Sequence, residues 1–375
     1  MPTDGTIIIG AGPAGLACAA ALRSEGQGST ILEATHHVGA SWHKHYDRLH
    51  LHTAKAHSAL PGMPMPRDFP RYPSRLQVIR YLDDYAYDNS LKILFGKRAV
   101  SIRNGDCWAV ETADGDQFRA RSVVIATGLA NTPIRPTWEG QDKFAGPIVH
   151  SSEYRNADAL DARRVLVVGF GNSAGEIALE CAEAGLDVAL SVRGPVNVVA
   201  REIFGIPSAT IAIAQSRLPP KLADAINAPF LRMRYPDLEE LGLKRASSGP
   251  LSTMIQRGRT PLIDIGTMAK IREGHIEVFP GVDRSDDGTA YFANGKSFQC
   301  NAIVLATGYD HGLGKILPDL AERFPEADRP PRNEVHPAGD GLYFCGFNAA
   351  TTGLLRQIGI EAGEIVASIG QRHGP

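Results

Sequence analysis

The chain has few cysteines, few aromatic residues and little net charge, and it has no long apolar run. Its five cysteines, Cys18, Cys107, Cys181, Cys300 and Cys345, are scattered, with no CxxC pair among them. An odd count at such spacing suits neither a disulfide framework nor a zinc site, and a flavin-linked dithiol reductase needs two neighbouring thiols. They read as small buried apolar residues. A net charge of −2 without a Lys/Arg block gives no reason to expect nucleic acid or a membrane as partner. No apolar stretch approaches the roughly 20 residues that cross a bilayer. A strand beginning at Ile7 leaves no room for a signal peptide, so the expected location is cytoplasmic. What is present is a 375-residue chain, 43% hydrophobic and 21% charged, ordinary for a globular protein and long enough for two cores.

Two glycine turns organise the chain. Thr6–Ile9 runs into Gly10-Ala11-Gly12-Pro13-Ala14-Gly15, and Arg164–Val168 runs into Gly169-Phe170-Gly171-Asn172-Ser173-Ala174. Each apolar run suits a buried parallel strand, and helical spacing follows over Leu16–Arg23 and Glu176–Ala184. In such a unit the glycines bring backbone to a pyrophosphate at a helix N-terminus, and the residue closing the second strand meets the adenosine ribose. That residue is Glu33 in the first unit and Arg193 in the second. A carboxylate accepts from free ribose hydroxyls, which suits FAD or NAD; a guanidinium grips a 2′-phosphate, which suits NADP. Asn172 and Ser173 are expected to cap the second helix and bond the pyrophosphate, and Arg201 is a second candidate for the 2′-phosphate.

A second element repeats. Ser122–Gly128 and Ala302–Tyr309 are β-rich runs containing Ala-Thr-Gly, which place Thr127, Gly128, Thr307, Gly308 and Tyr309 where backbone passes close to a cofactor. The order of turns predicts an α/β fold with two Rossmann-like dinucleotide-binding domains, one inserted in the other. The FAD domain is expected over 1–158 and 301–375, the NADPH domain over 159–300. Prolines 219, 220, 229 and 236 predict short helices in an insertion around 208–243, which would cap a pocket or form a homodimer surface. Ile206–Ala214 would pack in the core or line a substrate cavity.

Phe144-Ala145-Gly146 through His150 to Tyr154 resembles the FxGxxxHxxxY/F stretch of the flavin-containing monooxygenases. Tyr46–His52, Leu60-Pro61, Phe69–Pro73 and Leu241–Gly266 are similar to the YUCCA branch of that family, the indole-3-pyruvate monooxygenases. Departures are Ser58 where plant members usually have Cys, a shortened Ala40-Ser41-Trp42, Ala174 as the third small residue, and a loose match at Gly353–Gln357. The resemblance implies FAD and NADPH as cofactors and a flavin C4a-(hydro)peroxide that oxygenates a small molecule with molecular oxygen. It adds Trp42, Gly346 and Phe347 to the cofactor-binding set and gives the 144–154 stretch a structural role between domains.

Within that resemblance His52 falls where the wider family has an Asn that shelters the adduct, and Lys55 is placed to meet flavin, nicotinamide or a substrate carboxylate. The bland readings are a histidine-rich polar loop and a solvated lysine; a metal site lacks a third ligand. The favoured reaction is oxidative decarboxylation of an aryl 2-oxo acid. N- or S-oxygenation, Baeyer–Villiger oxidation, and an NADPH oxidase or flavin reductase without oxygenated product stay open.

Overall fold

β1 (Asp4–Ile9) is apolar because it is paired on both edges, in parallel with β2 (Ser29–Leu32) and with β6 (Gln117–Ile125). The computed structural model describes residues 4–323, 340–348 and 350–373. The chain divides into two units: 1–43, 53–132 and 309–375 form the first, 44–52 and 133–308 the second.

In the first unit, helix α1 (Pro13–Ser24) follows β1, and helix α2 (Arg75–Asp88) leads to the edge strand β3 (Ile93–Leu94) beside β2. β4 (Ala99–Arg103) and β5 (Trp108–Thr112) form an antiparallel meander with β6. The C-terminal strand Leu342–Phe344 adds in parallel to β6, and the C-terminal helix Leu354–His373 packs on α1. Ser74 and Gln77 bond reciprocally as a capping box that starts α2.

The second unit repeats the pattern with different strands. Its sheet is wholly parallel: β7 (Ile148–His150), β8 (Arg164–Val168), β9 (Asp187–Ser191), β12 (Ile276–Phe279) and β13 (Ala302–Leu305) stand in the order β12-β9-β8-β13-β7. Helix α3 (Asn172–Glu183) connects β8 to β9. β10 (Val198–Ala200) pairs β11 (Leu262–Asp264), and α7 (Thr267–Arg272) leads into β12. A three-stranded meander spans 282–299. The expected breaks at 158/159 and 300/301 fall inside this unit, because β7 and β13 both pair in its sheet.

The insertion holds α4 (Ser208–Ala214), α5 (Pro220–Arg234) and α6 (Pro250–Arg257). α5 continues through Pro229 where a break was expected. The carbonyl that loses its donor belongs to Ala225, which is exposed to water. Gln215 and Asn227 exchange amide hydrogen bonds of 3.1 and 2.8 Å, joining α4 to α5. None of Ile206–Ala214 is buried, so that stretch is not core. Among the described residues, no helix is long and apolar enough to cross a membrane.

Candidate functional site

The first glycine turn is shaped by what a side chain would strike. Gly10 has φ +107°, and a Cβ there would lie 2.7 Å from the Ala126 oxygen; at Gly15 it would lie 1.9 Å from the Gly10 oxygen. Only glycine lets α1 approach β1 this closely. Gly12 is the N-cap of α1 and faces open space, with Pro13 at the first helical position, where no N–H is needed, and Ala14 buried behind it. An anion fits above such a bare helix N-terminus.

Glu33 is buried at the end of β2. Its Oε2 accepts from Ala11 N–H at 2.8 Å, and its Oε1 from the N–H and hydroxyl of Thr35, each at 2.8 Å. A carboxylate has about four acceptor positions, so a sugar hydroxyl can still join these three donors. Beside the turn, the buried Thr127 Oγ1 has no hydrogen-bond partner, and Gly128 has φ +76°. An orphan hydroxyl here fits a ligand that brings polar atoms to the turn. Trp42 N–H donates to Gly39, whose N–H donates to Ala11, bracing that loop on the turn.

Gly346 (φ +83°) lies against Ala14, where a Cβ would come within 2.9 Å. Its N–H donates at 2.7 Å to Glu361 Oε2; the other oxygen of this buried carboxylate has no partner. Burial pushes the Glu361 carboxyl up to about 7. Phe347, expected to face cofactor, is buried in the first unit's core with its ring edge-on to Phe344 at 6.1 Å. Tyr309 is half-buried where the first unit resumes.

The second turn solves the same problem differently. Gly169 (φ +131°) passes the Ala306 oxygen, which a Cβ would meet at 2.3 Å, and Gly171 is an N-cap facing open space. Ala174 carries its Cβ into the core. Asn172 does not cap α3: its Oδ1 accepts from Ile263 N–H at 2.7 Å and ties the helix to β11, while Ser173 remains in the first turn. Arg193, two residues past β9, is exposed and makes no ion pair or hydrogen bond among the described residues. Thr307 donates its hydroxyl to the Ile134 oxygen at 2.5 Å, and Gly308 O accepts from Ile134 N–H.

His52 belongs to this second unit, and its Nε2 lies 2.8 Å from Glu176 Oε1 on α3. The contact is off the hydrogen-bonding axis, so neither ring nitrogen nor that oxygen has a hydrogen-bond partner. Glu176 is almost fully buried, a costly place for a carboxylate, and the His52 imidazole lies against its Oε1. No sequence signal marked Glu176 beyond an acid amid the apolar run of α3.

Lys55 departs from its expected role. Its ammonium donates to the oxygens of Pro66, Arg67 and Phe69, the Arg67 bond measuring 2.7 Å. All three donors are taken, so Lys55 clamps the 66–69 loop and has none left for a substrate. Among the described residues, no cluster of His, Cys, Asp and Glu could hold a metal.

The 144–154 stretch is a structural joint within the second unit. A Cβ on Gly146 would lie 2.0 Å from the Asn301 oxygen. Phe144 and Tyr154 are buried, and Tyr154 donates to Glu180 at 2.7 Å. His150 is fully buried, its Nε2 3.1 Å from the Gly308 oxygen; burial lowers its pKa, which favours the neutral ring.

Residues 7–202 match the pyridine nucleotide-disulphide oxidoreductase family. Indole-3-pyruvate monooxygenase YUCCA6 of Arabidopsis thaliana is 38% identical over 357 residues, 92% of this chain and 85% of its own. Indole-3-pyruvate monooxygenase YUCCA1 of Oryza sativa subsp. japonica is 35% identical over 350 residues, 92% of this chain and 86% of its own. A flavin-containing monooxygenase from Stenotrophomonas maltophilia superposes with a TM-score of 0.73 at 21% identity over 99% of each chain, a likeness of fold. On sequence and fold together, the chain is an oxidoreductase that belongs to the pyridine nucleotide-disulphide oxidoreductase family and, within it, to the YUCCA-type flavin monooxygenases.

Proposed function

We propose that this chain is an FAD- and NADPH-dependent monooxygenase that oxidatively decarboxylates an aryl 2-oxo acid of the indole-3-pyruvate kind. The observation that carries this reading is two unlike nucleotide turns, one closed by a buried carboxylate and one by an unpaired guanidinium, in a chain 38% identical to an indole-3-pyruvate monooxygenase. The first unit takes FAD: Gly10 to Gly15 present the helix N-terminus to the pyrophosphate, Glu33 accepts from ribose, and the bare Thr127 hydroxyl finds a partner. The second unit takes NADPH, with Gly169 and Gly171 under the pyrophosphate and Arg193 on the 2′-phosphate.

FAD held in the first unit would supply the activation of molecular oxygen, and NADPH the two electrons. The overall change consumes one NADPH, one proton and one oxygen molecule per 2-oxo acid. One oxygen atom enters the new carboxylate, the other leaves as water, and the old carboxylate leaves as carbon dioxide. His52 lies against Glu176 of α3 in the same unit as the NADPH turn, with both ring nitrogens buried and outside any hydrogen bond, so the imidazole can take up or pass on a proton once a partner reaches it. Lys55 shapes its loop and has no donor free for a substrate.

The test is product stoichiometry with purified protein, NADPH and indole-3-pyruvate. The expected result is one indole-3-acetate per NADPH. Hydrogen peroxide in its place, with no indole-3-acetate, would refute the reading. In His52→Ala, peroxide should rise at the expense of product while bound flavin is unchanged; unaltered coupling would remove His52 from the site.

A further inference from the structure

Helix α5 presents large apolar side chains to water. Leu222, Ile226, Phe230 and Met233 are 49, 44, 49 and 67% exposed. At about 100° per residue, these four with Pro229 form one stripe along the helix. Contiguous exposed apolar faces of this kind mark contact surfaces in folded proteins.

The charges on α5 identify the partner. Arg234 projects on one side of the stripe, Lys221 and Arg232 on the other, and all three are exposed. The one acid of the helix, Asp224, points away: it is buried and accepts from the Leu251 and Ser252 N–H groups at the start of α6. A second copy fits poorly. Antiparallel pairing of two α5 helices would set Lys221 against the copy's Arg232, and parallel pairing would set Arg234 against Arg232, with no exposed acid on either helix to offset them. An anionic bilayer surface satisfies both features, since its headgroups pair the basic rims while the stripe sinks to the acyl boundary.

We propose that α5 is an interfacial anchor that docks this enzyme peripherally on membranes rich in anionic lipid. Neither a charge block nor a spanning segment marks such a surface in the linear sequence. The basis is exposure along one helix face, which linear composition does not report.

The test is co-sedimentation of the full chain with vesicles of phosphatidylcholine alone and of phosphatidylcholine with phosphatidylserine, alongside light scattering for oligomeric state. Binding is expected only to the phosphatidylserine vesicles. Lys221→Gln, Arg232→Gln and Arg234→Gln together should weaken it roughly a hundredfold, at about fivefold per cation. Phe230→Glu should abolish it, with NADPH oxidation and melting temperature unchanged because the side chain is exposed. Equal or absent binding to the two vesicles would overturn the proposal. So would a dimer that Phe230→Glu dissociates in a protein that ignores lipid, since the face would then be self-complementary.

Discussion

The two glycine turns share a plan and differ in what they leave unsatisfied. In the first, Glu33 is buried and already bonded to the turn through Ala11, and the third small residue, Gly15, must lack a side chain as Gly10 does. In the second, Arg193 is exposed and unpaired among the described residues, Ala174 keeps its Cβ, and the bare polar group lies inside the helix at Glu176. A pre-bonded carboxylate makes a rigid pocket suited to a ligand that stays; a free guanidinium suits one that comes and goes. Among the described residues, each unit also buries a glutamate with one oxygen outside any hydrogen bond, Glu361 in the first and Glu176 in the second.

Swapping the third small residue gives the largest contrast. Gly15→Ala should drive a Cβ into the Gly10 oxygen, destabilise the first unit by about 3 kcal/mol, and yield colourless protein on purification. A yellow protein with unchanged denaturation midpoint would show that α1 can retreat from β1.

Glu361 ranks next. Its folded-state value is raised from 4.5 to about 7, so the folded protein holds that proton more tightly than the unfolded chain. The resulting stability is fully present below pH 4.5 and is lost as pH rises to about 7, by about 3 kcal/mol. Urea titrations at both ends of this window should show the loss in the parent protein and not in Glu361→Gln. Parallel curves would mean that the carboxyl finds another partner.

Arg193→Ala tests the other turn. Its NADPH KM should rise about 30-fold, a loss of about 2 kcal/mol, with NADH barely affected. Equal loss for the two would remove the 2′-phosphate assignment. The smallest change is Ala174→Gly, expected to lower stability by about 1 kcal/mol through helix propensity with NADPH binding retained. Unchanged stability would mean that neither helix propensity nor the core-facing methyl counts at this position.

The regular parts of both units were legible in the sequence. Ser29–Leu32 became β2, Arg164–Val168 became β8, and both turns lie between strand and helix as their glycines required. What could not be read was which polar side chain would turn inward. Asn172 looked like a cap because Asn at a helix start usually is one, yet its oxygen serves β11, about ninety residues along the chain. Lys55 looked free because no local pattern foretells that three carbonyls of a later loop converge on it. Glu176, Glu361 and the stripe on α5 belong to the same class, since burial and exposure are set by tertiary neighbours.

The position of β13 governs when the second unit can form during synthesis. It stands between β8 and the edge strand β7, so β7 cannot join the sheet and one edge of β8 stays open until residue 305 has left the ribosome. At roughly 5–20 residues per second, the edge of β8 waits on the order of ten seconds with its backbone donors and acceptors unpaired. A nascent chain stalled in that interval offers an apolar parallel strand to any neighbour, which makes the span from 168 to 305 the stretch where slow translation or chaperone shortage would turn this enzyme toward aggregation.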